Sequence, residues 1–289
     1  MERIYKKLVE GKFLDRPNRF VCHAEVAGEK VLCHMPNPGR MRELLFPGVT
    51  LYMTPNRKGL RTAYRVVGCE KEGRIIYLDT TRANDAAAFL IQHHKIPGWE
   101  NYFLAGREVT MGDSRFDLLL GDEETGETFP VEVKSCSLSG RHGAMFPDAP
   151  TERGMKHLTH LVDMARAGEH AGLLVLVHDG NARWFLPNYH TDLSFSEEFR
   201  QGLDLLDWKA CVISWTKDFL MPETVRLIPT SKEALDKEMG NAGDYMIILQ
   251  LEEDKTITVG SLGDIHFPKG FYVYVGSARK NLDQRIAHH

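Results

Sequence analysis

The chain has 289 residues, 43 % of them apolar and 26 % charged, enough for two or more globular domains. No apolar run nears the roughly 18 residues that span a bilayer, and the N-terminus lacks the apolar core of a secretory signal, so a cytoplasmic protein is expected. The net charge of −4 is uneven: residues 1–82 carry 16 Lys and Arg against 9 Asp and Glu, and residues 83–289 carry 20 against 31, which suggests either an anionic partner for the first part or a solvated basic face.

In chain order, the pattern predicts short strands over 19–26, 31–35, 49–54, 62–68 and 74–79. Turn residues separate them, among them Gly28, the Pro36-Asn37-Pro38-Gly39 stretch and Pro47-Gly48. Five short strands at this spacing suggest a small barrel of the OB type, which binds oligonucleotides on an open face. A helix is expected over 85–94, then two strands over 116–120 and 129–134 joined by an acidic turn. A helix over 154–167 follows, with Thr151 as its N-cap. The apolar run 172–178 reads as a buried parallel strand. A helix over 195–206 and a strand over 210–215 complete a mixed α/β domain. Residues 216–243 read as a link. The tail shows strands over 244–251, 256–260 and 270–275 and a helix starting near Leu282. A unit of this kind is expected to continue, so the tail reads as a fragment or a truncated module. The divisions are thus 1–82, 83–230 and 241–289.

The chemistry concentrates in Arg115-Phe116-Asp117-Leu118-Leu119-Leu120 and Val131-Glu132-Val133-Lys134-Ser135. Strand alternation puts Glu132 and Lys134 on one face, and Asp117 lies on a strand a short connection earlier. Two carboxylates beside an ammonium suit an octahedral Mg²⁺ or Mn²⁺ site acting on a phosphate. The alternative is a same-face charge pair, since Glu-x-Lys alone is unspecific. Asp is depleted in apolar strands, so Asp117 needs a partner or a task. In the following helix, Arg153, Lys156 and His157 are candidate phosphate contacts, or a solvated charged face. In the first part, Arg16, Arg19, Arg40, Arg42, Lys58 and Arg61 lie in or beside turns, interspersed with Phe13, Phe20 and Tyr64. The arginines read as contacts to a nucleic-acid backbone and Phe20 as core. The five cysteines form no CxxC pair, which argues against a zinc ribbon and for reduced, buried thiols.

The segments RFDLLL, VEVKSCSL and AMFPDAPTERGMKHLTHL, with FLDRPNRF, HMPNPGRMRELLFPG and DTTRAN earlier, resemble the sugar fermentation stimulation protein A (SfsA) family over roughly residues 1–230. The resemblance implies an OB-like barrel followed by a PD-(D/E)XK, restriction-endonuclease-like domain that binds DNA. It makes Asp117 and Glu132 metal-binding acids, Lys134 the lysine of the motif and Glu108 an additional upstream acid, unless Glu108 is a surface carboxylate. The tail, with Gly243-Asp244-Tyr245, the run 272–278 and Arg285, resembles a partial GIY-YIG domain. This makes Tyr245, Tyr274 and Arg285 a candidate phosphate site. The first motif departs from that pattern, and no metal-binding Glu follows.

Three functions are compatible with these features. The first is a DNA-binding protein with a Mg²⁺-dependent phosphodiesterase site. The second is a DNA-binding regulator that cuts nothing; the link to sugar (maltose) metabolism comes only from the resemblance. The third, a small-molecule enzyme or nucleotide sensor, lacks a Gly-rich phosphate loop. No helix-turn-helix is evident for major-groove reading.

Overall fold

A computed structural model describes residues 2–289. The first sheet contains β1 (Val9–Asn18), β2 (Val21–Val26), β3 (Glu29–His34), β4 (Thr50–Pro55), β5 (Tyr64–Lys71) and β6 (Arg74–Tyr77). Its order is β3-β2-β1-β4-β5-β6, and β3 also pairs in parallel with β5 through Cys33–Tyr64 and His34–Arg65. That pairing closes a ring of five strands, the expected OB barrel.

The membership of the ring differs from expectation. β1 is a ring strand that the periodicity hides, because register shifts between Phe13 and Asp15 and between Asp15 and Asn18 break its alternation. The strand expected over 74–79 appears as β6, appended beside β5. Gly11 lets β1 pass close to β2, since a Cβ there would lie 2.8 Å from the Glu25 carbonyl oxygen. Phe13, Cys22, Ala24, Cys33, Leu51, Met53 and Val66 fill the barrel. All five cysteines are unpaired and buried. Phe20, expected in the core, is instead 59 % exposed. It sits in the two-residue turn between β1 and β2, outside the alternation that decides which strand residues face inward.

The next elements are α1 (Ala83–Gln92), β7 (Tyr102–Met111), β8 (Ser114–Asp122), β9 (Thr128–Cys136), β10 (Gly143–Phe146), α2 (Glu152–Arg166), β11 (Gly172–Val177), β12 (Trp184–Pro187), α3 (Leu193–Gly202), β13 (Asp207–Val212) and β14 (Arg226–Leu227). They form a sheet of order β14-β13-β11-β9-β8-β7, parallel across β9-β11-β13, beside a small β10-β12 pair. One face packs on α1 and on Tyr52, Val67 and Tyr77 of the barrel's outer wall. The other face packs on α2 and α3 through Leu158, Leu161, Phe195 and Phe199. Every residue of β11 is buried, as its unbroken apolar run requires. β7, an edge strand of half-buried and exposed residues, is not among the expected strands: its apolar run, Tyr102–Ala105, is short and gives way to Gly106, Arg107 and Glu108. α2 starts where expected, with the Gly154 amide donating to Thr151 Oγ1 at 3.1 Å.

The chain divides into two compact units, residues 1–232 and residues 233–289. The link expected over 216–243 contains a short helix, α4 (Lys232–Glu238). In the second unit, β15 (Gly243–Leu251) pairs antiparallel with β18 (Gly270–Ala278), and β16 (Lys255–Thr258) with β17 (Asp264–Phe267), before α5 (Leu282–Ala287). Among the described residues, no helix is long and apolar enough to cross a membrane.

Candidate functional site

The site forms where the second sheet splays. The β8–β9 ladder runs from Gly121–Thr128 to Leu118–Val131 and stops, while β9 continues against β11 as far as Cys136. Beyond the last pair, the Val133 amide donates to Asp117 Oδ2 at 2.9 Å instead of to a strand carbonyl. Asp117 thus satisfies a backbone donor that the splay would otherwise orphan. Its Oδ1 accepts from Asn84 Nδ2 of α1 at 2.7 Å. Burial, and then the Glu132 charge, push the Asp117 carboxyl up from its ordinary value.

Glu132 and Lys134 share a face of β9, as alternation requires, and are only 4 % and 8 % exposed. Lys134 Nζ donates to Glu132 Oε1 at 2.8 Å. His157 Nδ1, from α2, lies 2.6 Å from the same oxygen. Glu132 Oε2 is buried with no hydrogen-bond partner. A buried carboxylate oxygen without a donor carries a desolvation penalty, and a cation would relieve it. Asp117, Glu132 and Lys134 line one cavity of about 370 Å³. Among the described residues, no three His, Cys, Asp or Glu side chains gather as a metal-binding group. A cation here would therefore rest on two carboxylates and complete its shell with other oxygens, a mode that suits Mg²⁺.

The other residues singled out from sequence separate. Arg19 and Arg153 line the same cavity, and both are exposed. Arg16 does not face outward. Its guanidinium donates to the carbonyls of Gly39, Arg40, Arg19 and Asn37 at 2.6–3.0 Å, so it braces two turns and leaves little for a phosphate. His157 is buried against Glu132, because it falls on the same face of α2 as Leu158 and Leu161. Lys156 donates to the Asp113 carbonyl at 3.0 Å and lies outside the cavity. Glu108 is exposed and paired with Arg115, also outside the cavity. Arg40, Arg42, Lys58 and Arg61 are exposed on barrel turns.

Sequence reasoning reads the Asn37–Arg40 stretch as a turn, with backbone amides that could form an anion nest, and misses that it walls the site. Asn37, Pro38 and Gly39 line the cavity opposite Asp148. Asn37 Nδ2 donates to Ser137 Oγ at 3.2 Å, and the Met41 amide donates to Asp148 Oδ2 at 2.6 Å. Gly39 is needed for this close approach, since a Cβ there would sit 2.7 Å from Asp148 Oδ2. Also missed was Ser135, which lines the cavity 2.9 Å from His178 Nε2. Trp215 Nε1, a donor only, lies 3.1 Å from His178 Nδ1, so Nδ1 accepts and Nε2 carries the hydrogen. His178 then donates to Ser135 and leaves the serine hydrogen free for another acceptor. Burial drives the His178 pKa down to about 3, which keeps the ring neutral. Only the Ser135-next-to-Lys134 adjacency was visible in sequence.

In the second unit, Tyr245 is buried, and its hydroxyl lies 2.9 Å from His289 Nε2. Its ring lies 6.2 Å from that of Tyr274. Arg285 is exposed on α5.

These features define a class: a closed OB barrel joined to a mixed α/β sheet that carries two acids and a lysine where its strands part. Comparison with known proteins makes the class specific. Family models match residues 14–78 (SfsA N-terminal OB domain) and 81–206 (Sugar fermentation stimulation protein RE domain). A sugar fermentation stimulation protein homolog of Clostridium tetani is 36 % identical over 217 residues, covering 72 % of this chain and 93 % of that protein. The homolog of Clostridium acetobutylicum is 35 % identical over 225 residues, covering 75 % and 95 %. The structure of Pyrococcus furiosus SfsA in complex with Ca²⁺ superposes with a TM-score of 0.71 at 27 % identity, over 80 % of this chain and 99 % of that one. The chain belongs to the SfsA family. A further family model, a domain of unknown function (DUF123), matches residues 244–289, the tail that resembles GIY-YIG.

Proposed function

We propose that the protein binds nucleic acid, DNA in the first instance, and carries a metal-dependent phosphodiesterase site of PD-(D/E)XK type. One observation carries the reading: Asp117, Glu132 and Lys134 line a single cavity with Arg19 and Arg153 at its edge, and Glu132 Oε2 is buried without a donor. Asp117 and Glu132 would hold the cation, Mg²⁺ or Mn²⁺. Pyrococcus furiosus SfsA forms a complex with Ca²⁺, which supports a divalent ion for this chain. When bound, such a cation supplies Lewis-acid stabilisation of charge developing on a phosphodiester. Lys134 and His157 fix the Glu132 carboxylate through one oxygen and leave the other for the ion. Asn84 and the Val133 amide fix Asp117 through one oxygen each, and the ion would take the remaining lone pairs. Arg19 and Arg153 would bind phosphate oxygens, and Ser135 would offer a hydroxyl donor. The exposed Arg40, Arg42, Lys58 and Arg61 would extend contact along a strand. Unpaired thiols fit the reducing cytoplasm.

A second reading, a DNA-binding regulator of sugar metabolism that cuts nothing, draws on Lys134 being tied to Glu132 and on a third acidic ligand being absent among the described residues. Incubating the purified chain with DNA and RNA, each with Mg²⁺, Mn²⁺ or EDTA, separates the two. Metal-dependent product that disappears in Asp117→Ala and Lys134→Ala supports the enzyme. Binding without product under every condition, unchanged by those substitutions, supports the regulator.

A further inference from the structure

The turn between β1 and β2 consists of Arg19 and Phe20 alone, since Asn18 and Val21 are register partners. Tight hairpin turns favour Gly, Asn and Asp, whose conformations suit them; neither residue is here for that reason. Other groups hold the turn instead. The Phe20 amide donates to Asn18 Oδ1 at 2.9 Å, the Phe20 carbonyl accepts from the Met35 amide at 2.8 Å, and the Arg19 carbonyl accepts from Arg16 at 2.7 Å. A rigid backbone therefore presents two large side chains. Arg19 lines the carboxylate cavity, and among the described residues its guanidinium has no hydrogen-bond or ion-pair partner. Phe20 stands beside it, 59 % exposed.

We infer that Arg19 and Phe20 form a subsite for one unpaired nucleotide, Phe20 stacking on its base and Arg19 binding its phosphate at the mouth of the cavity. The substrate of the site is then a single strand or an unpaired end, not the interior of a duplex. Inside a duplex both faces of a base are covered by its neighbours, so an aromatic side chain gains a face only where pairing and stacking are broken. The cavity agrees, because Glu132 is buried and Asp117 half-buried in it, and the Asn37–Gly39 loop is fastened to the Asp148 segment across one side. A strand can bend into such a recess, whereas a paired helix meets that wall.

The inference rests on the nucleic-acid reading above. Its test measures fluorescence anisotropy of the full chain in EDTA, so that nothing is cut, with a labelled oligothymidylate, its RNA counterpart and a blunt hairpin duplex whose loop is a non-nucleotide linker. The wild type is expected to bind the single strands at least about tenfold more tightly than the hairpin. Phe20→Ala is expected to weaken single-strand binding about 10- to 100-fold and leave the hairpin value unchanged. Phe20→Trp should retain the affinity and show quenching of the added indole on stacking. The DNA and RNA arms identify which sugar the strand carries. Equal binding of strand and hairpin, or wild-type single-strand affinity in Phe20→Ala, overturns the subsite while the nucleic-acid reading stands. Absence of binding to all three probes overturns both.

Discussion

The chain carries two sets of residues that a motif reader would assign to phosphate chemistry, and the fold treats them differently. In the first unit, Asp117, Glu132 and Lys134 come from two strands, are fixed by Asn84, His157 and a backbone amide, and line one recess. In the second unit, Tyr245 and Tyr274 sit on a two-stranded ribbon, and Arg285 stands exposed on a six-residue helix. Much of that ribbon's apolar surface is open: Met246, Ile248, Phe271 and Val275 are each about 70 % exposed. Two strands without a covered apolar face are marginal in water. The comparison teaches that side chains become a site when the elements beneath them are themselves over-determined.

The largest effect that could break the comparison is catalytic. Asp117→Asn and Lys134→Ala are each expected to lower metal-dependent cleavage about 10³-fold. Tyr245→Phe and Arg285→Ala are expected to leave it unchanged. A gel-based rate assay decides, and loss of cleavage in the tail variants would move the chemistry to the second unit. Next in size is metal linkage. All four tryptophans, Trp99, Trp184, Trp208 and Trp215, lie in the first unit, so their fluorescence follows that unit alone. Ca²⁺ at about 100 times its dissociation constant should stabilise that unit by about 3 kcal/mol in urea unfolding. In Glu132→Gln the gain should vanish. A gain that survives there would place the ion elsewhere.

How much of this was legible in the sequence follows from the range of the interactions. Glu132 and Lys134 could be put on one face because period-two alternation is local, and Asp117 stood out because an acid is rare in an apolar strand. The α2 cap at Thr151 and the buried β11 were legible for the same reason. β1 was hidden because two bulges erase its period. His157, expected to contact phosphate or to lie on a charged helix face, is buried with Leu158 and Leu161, and its partner Glu132 lies 25 residues away in sequence. Arg16 and Phe20 exchange the expected roles: the arginine, on the irregular end of β1, is half-buried under carbonyls, and the phenylalanine, in the turn that follows, is exposed. The Ser135–His178–Trp215 chain spans 80 residues and exists only once β9, β11 and the segment after β13 have packed.

The barrel wall of the site gives a smaller effect. Gly39→Ala forces a methyl against Asp148 Oδ2 and Asn37 Oδ1, and should destabilise the first unit by about 1–3 kcal/mol in urea. Combining it with Asp148→Ala removes one of the two clashes, so the pair should be less destabilising than the sum of the single changes. Strict additivity would mean that the loop does not bear on Asp148.

The smallest effect is in pH, and it tests whether the buried histidine is held neutral. The His178 pKa is about 3 in the fold, against 6.5 for an unperturbed histidine. Between those values the unfolded chain binds a proton that the folded chain refuses, so stability rises with pH and is lost on acidification below about 6.5. At 1.36 kcal/mol per unit, lowering the pH from 7 to 5.5 should cost about 1 kcal/mol from this residue. The urea midpoint followed by tryptophan fluorescence should therefore fall over that interval, and fall less in His178→Gln, whatever that variant's stability at pH 7. The side chain has no other route to the slope: Trp215 donates to one ring nitrogen, and Ser135 is an uncharged partner at the other. An identical slope in wild type and variant would mean that His178 takes up a proton in the folded chain. That would set an Nδ1 hydrogen against the Trp215 indole donor, so the Trp215–His178 hydrogen bond would be lost while Nε2 still donated to Ser135.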